Sequence, residues 1–158
     1  LEYKAQYNMK GEVPTDPNFV LPIGKADLKR VGKDVTVVTY GRMLERVLKA
    51  ADKAAEKGIE VEVVDLMTLI PLDKEAIINS VKKTGRVLLV NDAHKTGGFL
   101  GEIAAVITES DAFDYLDSRI LRLAAEDIPT PYNRALEMGM LPDEDRILSY
   151  IERLYSKR

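Results

Sequence analysis

Short apolar, β-branched runs alternate with segments whose apolar residues recur at helical spacing, and this alternation limits the fold more than any other feature of the chain. Val35–Tyr40 is such a run. Gly41 follows it, and then Met43, Leu44, Val47, Leu48, Ala51, Ala54 and Ala55 fall on one helical face, with Gly58 as the stop. Ile59–Leu66 is the next run, and Pro71-Leu72-Asp73 opens a helix with Asp73 as its cap and Ile77, Ile78 and Val81 on its apolar face. Arg86–Asn91 is apolar nearly throughout, as a strand covered on both faces should be. A glycine-rich turn, Thr96–Gly101, leads into a helix carrying Ile103, Val106 and Ile107, and Ile120–Leu123 is a further strand. A last helix starts near Asp143 with Ile147, Leu148, Ile151 and Leu154 on one side. Strand-helix alternation of this kind predicts the α/β class, a three-layer α/β/α sandwich with right-handed crossovers.

Two stretches stand outside the alternation. Residues 1–33 read as a linker and irregular entry segment, with an extended piece at Phe19–Gly24 suited to a sheet edge because Pro22 has no N–H to donate. Residues 34–158 read as the folded domain. Asp127–Pro142 reads as a long irregular connection marked by Pro129, Pro131, Gly139 and Pro142. A chain of 158 residues buries roughly 68–70% of its unfolded surface. It needs no disulfide, and it has no cysteine to make one, which excludes thiol chemistry and agrees with a reducing cytoplasm. No apolar run approaches the length of a membrane span. The net charge of −3 argues against nucleic acid as a partner. The amino terminus has no initiator Met, signal peptide or transit pattern, and it reads as a piece of a longer protein.

Candidate sites follow from the strand ends. Thr96, Gly97, Gly98 and Phe99 open a helix, where free N–H groups can cradle an anion, yet the spacing is neither GxGxxG nor a P-loop. Because these fingerprints fail, the glycines are better explained by positive φ and close backbone packing. His94, the only histidine, follows a strand end, and no serine elbow or metal-ligand spacing accompanies it. Asp65, Asp73, Asp92 and Asp127 lie at element ends and suit acid-base work, capping or turns. Glu109–Asp117 interleaves acids with Phe113 and Tyr115, a pattern for a solvated loop or for docking a basic partner through residues such as Asp114 and Asp117. Pro129, Pro131 and Tyr132 form a stiff segment that suits an interface or a plain connector.

Taken in order, Leu21–Asp27, Asp34–Gly41, Asp65–Asp73, Thr96–Phe99, Pro129–Tyr132 and Leu141–Asp143 resemble the C-terminal domain of the β subunit of 2-oxo acid dehydrogenase E1 components, of pyruvate or branched-chain type. The resemblance covers essentially the whole chain. Transketolase and deoxyxylulose-phosphate synthase share part of the pattern, and a stand-alone phosphate- or small-molecule-binding domain is a further reading. The family pattern often has His-Glu-Ala-Pro where this chain has Asn91-Asp92-Ala93-His94, and Arg where it has Met67.

The resemblance implies a mainly parallel sheet with one antiparallel strand. It implies thiamine diphosphate and Mg2+ in the intact E1 but held elsewhere, so that this chain carries no catalytic, cofactor-binding or metal residues of its own. Implied partners are the E1 α subunit, a second β subunit and the basic subunit-binding domain of E2. The implied contact residues are Thr96, Gly97, Gly98, Phe99, Asp114, Asp117, Pro129, Pro131 and Tyr132.

Overall fold

A computed structural model describes residues 3–156. Its strands are β1 (Asp27–Arg30), β2 (Val35–Thr39), β3 (Val61–Asp65), β4 (Val87–His94) and β5 (Leu121–Ala125). Its helices are α1 (Met43–Glu56), α2 (Lys74–Thr84), α3 (Leu100–Thr108), α4 (Arg134–Met140) and α5 (Glu144–Tyr155). The sheet order is β1-β3-β2-β4-β5. Strands β3, β2, β4 and β5 run parallel, and β1 pairs antiparallel with β3. This is the expected sheet, mainly parallel with one antiparallel strand.

Residues alternate between two cores along each central strand, as the two-residue strand period requires. Val35, Val37, Val61, Val63, Leu88 and Val90 face α1 and α5. Val38, Val64, Val87 and Leu89 face α2 and α3. All five residues of β2 and of β3 are buried, so the sheet is covered on both sides and the three-layer expectation holds. The helix limits follow local chemistry. Gly58 sits at φ +76 just beyond α1, and Gly85 at φ +67 caps α2, a backbone region where a Cβ is costly. Asp143 caps α5 by accepting the Arg146 N–H at 2.7 Å.

Two elements differ from the sequence reading. The edge strand is Asp27–Arg30, not Phe19–Gly24, so the stretch expected to be irregular contributes a strand. Its residues have little β propensity; pairing of Asp27 with Asp65 and Leu28 with Val64 holds them. The stretch Asp127–Pro142 contains helix α4, started by Asn133, whose Oδ1 accepts from the Ala135 and Leu136 N–H groups. Among the described residues no helix is long and apolar enough to cross a membrane.

Candidate functional site

Connections from β2 and β4 leave on opposite faces of the sheet, because α1 packs on one side and α2 and α3 on the other. The carboxyl ends of β2 and β4 therefore flank the crevice where open α/β sheets usually hold ligands. Tyr3, Tyr40, Gly41, Arg42, Asn91 and Asp92 make up this crevice. Asn91 is fully buried, and its Nδ2 donates to the Tyr40 hydroxyl at 2.6 Å. Arg42 Nε lies 2.8 Å from Asp92 Oδ2, an ion pair by distance without hydrogen-bond alignment. The Tyr3 hydroxyl donates to Asp92 Oδ1 at 3.3 Å. Burial, and next the Asp92 charge, push the Tyr3 phenol up to about 12. Burial also raises Tyr40. A cavity of about 490 Å³ adjoins the crevice, lined by Tyr3, Gln6, Tyr40, Met67, Thr68 and Ile70 among others.

A second cluster sits at the carboxyl ends of β4 and β5. The Thr96 N–H donates to Asp127 Oδ1 at 3.0 Å, and its hydroxyl donates to Oδ2 at 2.7 Å. These bonds, backbone first, hold the Asp127 carboxyl below its ordinary value. His94 Nε2 lies 3.0 Å from the Ile128 carbonyl oxygen. Gly98 is required by space, since a Cβ there would lie 2.3 Å from the His94 carbonyl oxygen. Gly97 is at φ +71. The glycine turn thus already faces a carboxylate of its own chain, which leaves the Thr96 N–H with no vacancy for a phosphate. Phe99 starts α3, and Pro129, Pro131 and the fully exposed Tyr132 lead from this corner to α4.

Asp114 and Asp117 lie elsewhere. Ser110 caps a single 3-10 turn, Asp111–Tyr115, which packs beside α2. The Asp117 N–H donates to the Gly85 carbonyl at 2.8 Å, and its Oδ2 lies 3.4 Å from Arg86 Nη2. Lys82 Nζ sits 5.5 Å from the Tyr115 ring centroid. Gly85 and Arg86 precede β4, whereas Thr96 follows it. Eight residues of strand, about 26 Å at the usual rise, separate these two groups, so the sequence-derived contact residues form two patches at opposite ends of the strands.

The four sequence-flagged carboxylates do not converge. Asp73 accepts from the Ala76 and Ala26 N–H groups, which makes it a cap and a tie to the entry segment. Asp65 is buried, its carboxyl raised by burial, and accepts from the Met67 N–H. Asp92 pairs with Arg42, and Asp127 with Thr96. Among the described residues no group of three or more His, Asp or Glu is placed to hold a metal. With Tyr3 in the switch-point crevice and Asp127 on the glycine turn, these side chains do not fit a magnesium diphosphate. Sequence reading did not single out Tyr3, Tyr40 or Arg42. The signal available was Asn91, a polar residue ending an apolar run and destined for burial.

A family model described as "Transketolase, C-terminal domain" matches residues 24–147. The chain belongs to the transketolase C-terminal domain family. The 2-oxoisovalerate dehydrogenase subunit beta of Bacillus subtilis (strain 168) is 49% identical over 148 residues, covering 92% of this chain and 45% of that protein. The acetoin:2,6-dichlorophenolindophenol oxidoreductase subunit beta of the same organism is 43% identical, covering 94% of this chain and 43% of that protein. A pyruvate dehydrogenase E1 component subunit beta from Cyanidium caldarium is 41% identical, covering 98% and 46%. The chain spans less than half the length of these curated relatives. Among solved structures, a split gene transketolase described as an inactive beta4 tetramer superposes with a TM-score of 0.75 at 25% identity, covering 90% of this chain and 45% of that one. The resemblance to E1 β subunits read from the sequence is thus borne out.

Proposed function

We propose that the chain is the C-terminal assembly domain of an E1 β-type subunit. The intact enzyme, with thiamine diphosphate and Mg2+ bound outside this chain, would oxidatively decarboxylate a 2-oxo acid and pass the acyl group to the lipoyl group of E2. One observation carries the reading: near-complete coverage of the chain by E1 β relatives, at 49% identity with a branched-chain-type subunit. The side chains described above support a structural share of the work, because Asp65, Asp92 and Asp127 at the strand ends each have an internal partner.

Two patches would then meet two kinds of partner. The Thr96–Phe99 turn and the Pro129–Tyr132 segment form a stiff, exposed corner suited to the E1 α subunit or a second β subunit. The acidic turn with Asp114, Asp117, Phe113 and Tyr115 suits the basic subunit-binding domain of E2, since Phe113 and Tyr115 are exposed beside the carboxylates. The cysteine-free composition agrees with a cytoplasmic location, which is part of the proposal.

The test is reconstitution of the full-length protein with an α-type partner. Decarboxylation coupled to dichlorophenolindophenol reduction is measured with pyruvate, branched-chain 2-oxo acids and acetoin. A 2-oxo acid-dependent rate that needs thiamine diphosphate is expected. Ketol transfer between sugar phosphates, or synthesis of deoxyxylulose phosphate, would move the chain to one of the other thiamine enzymes of this fold. A preference for acetoin would move the substrate assignment to the second type of relative.

A further inference from the structure

The switch-point crevice holds a phenol ring of the chain itself. Tyr3 reaches it from a position 89 residues before its hydrogen-bond partner Asp92. The hydroxyl end of the ring packs against Gly41: a Cβ there would come within 2.3 Å of Tyr3 Cε2 and 2.7 Å of Cζ. Gly41 is also at φ +62, so both space and conformation call for glycine beneath the ring. The polar end of the ring is matched separately. Asp92, with a side chain 14% exposed, accepts the hydroxyl on one oxygen and lies against Arg42 with the other. Tyr40 is held beside it by Asn91.

Apolar attraction alone does not select Tyr3 for this place. Val13, Val20 and Ile23, in the same amino-terminal stretch, are each 79% exposed, and Phe19 is 51% exposed. Residues 7–23 are exposed throughout, while Tyr3 and Gln6 are half-buried. The contact chosen out of this stretch is the one with an aromatic ring against Gly41 and a donor for Asp92. A half-buried carboxylate that accepts a hydroxyl discriminates against an analogue lacking that donor. The raised Tyr3 phenol agrees with a neutral hydroxyl donating to a carboxylate.

We infer that the crevice is a recognition socket for a para-substituted phenol, floored by Gly41 and keyed by Asp92, and that the chain fills it with its own Tyr3 as a strap across the carboxyl edge of the sheet. The strap occupies the position where this kind of sheet ordinarily takes a soluble ligand. In a subunit of the proposed kind it would set how the preceding polypeptide meets this domain; that consequence rests on the proposed function, whereas the socket does not.

The experiment uses the full-length protein and p-cresol as the probe, with NMR as the readout, so it needs no enzyme activity. In the wild type the Gly41 resonances are displaced by the Tyr3 ring, and p-cresol leaves them in place. In Tyr3→Ala they return toward ordinary glycine positions, and p-cresol moves them back, binding at least about tenfold more tightly than to the wild type, a difference of about 1.4 kcal/mol. Toluene, which lacks the hydroxyl, does so more weakly. In the Tyr3→Ala background p-cresol also shifts the Asp92 carboxyl resonance, and adding Gly41→Ala abolishes that shift. If Tyr3→Ala unfolds the protein, Tyr3→Phe decides: the Asp92 carboxyl resonance shifts when the hydroxyl is removed. Gly41 resonances that ignore Tyr3→Ala, no p-cresol response in that variant, or an Asp92 carboxyl indifferent to Tyr3→Phe would each overturn the socket.

Discussion

Thr96 and Asp127, 31 residues apart, are joined by two hydrogen bonds, one from the Thr96 backbone at 3.0 Å and one from its hydroxyl at 2.7 Å. The bonds favour the charged carboxylate, so the folded value of Asp127 lies below its ordinary 3.8. A depressed folded value means that the tie adds stability above the unfolded value and loses it as pH falls through the folded one. A carbon-detected NMR titration of the Asp127 carboxyl should therefore give a midpoint below 3.8. Thr96→Val should raise that midpoint while keeping the backbone bond. A wild-type midpoint at or above the ordinary value counts against the tie.

Glu62 is a buried carboxylate in the α2-facing half of the sheet. It accepts from the Ser80 hydroxyl, pairs with Lys83 and accepts the Gly32 N–H at 3.3 Å. Thr36 extends the network, bonding Thr84 at 2.7 Å and the Ser80 carbonyl at 3.0 Å. Lys83→Met leaves the carboxylate buried without its cation, a change that typically costs about 3–5 kcal/mol. Glu62→Gln keeps an acceptor and removes the charge, and should cost about 1–3 kcal/mol. Urea unfolding of the two variants reads the difference; equal losses would mean that Glu62 is solvated.

Asp117 has a local partner as well as a proposed external one. Gly85→Ala places a Cβ 2.7 Å from Asp117 Oδ2 at a backbone φ of +67, and the left-handed conformation alone costs roughly 1–2 kcal/mol. Asp117→Asn keeps the shape and removes the charge. In calorimetry of the assembled E1 with an E2 subunit-binding domain, Asp117→Asn should weaken binding while thermal unfolding stays near the wild type. Gly85→Ala should lower both. Unchanged binding in Asp117→Asn removes this residue from the docking patch.

Leu88 and Leu89 are adjacent, fully buried and on opposite faces of β4. Replacing either with Ala should cost about 2–5 kcal/mol, because each core is closed. Ile70, 88% exposed, should tolerate Ala within about 0.5 kcal/mol. Denaturation midpoints compare the three directly. A cheap Leu88→Ala would mean that α1 and α5 cover their face of the sheet loosely.

The elements that formed where expected are those with a strong internal period. Ile147, Leu148, Ile151 and Leu154 mark one face of α5 whatever surrounds it, and Val35–Thr39 is apolar enough to demand cover on both sides. Edge strand β1 was not legible, because Asp27-Leu28-Lys29-Arg30 has no strand pattern until β3 offers a partner. Helix α4 was hidden by its flanking prolines and its length of seven residues.

Local order and the burial of each face were thus written in the sequence, since 3.6- and two-residue periods are properties of neighbours along the chain. Family membership was legible too, through motifs read in order. The crevice was not. Thr96 meets Asp127 because the parallel strands β4 and β5 end side by side, Asp114 and Asp117 part from Thr96 because they precede β5 at the other end of the sheet, and Tyr3 meets Asp92 where the entry segment crosses the end of β4. Which side chain faces which is then decided by strand order and register, and no local period encodes either.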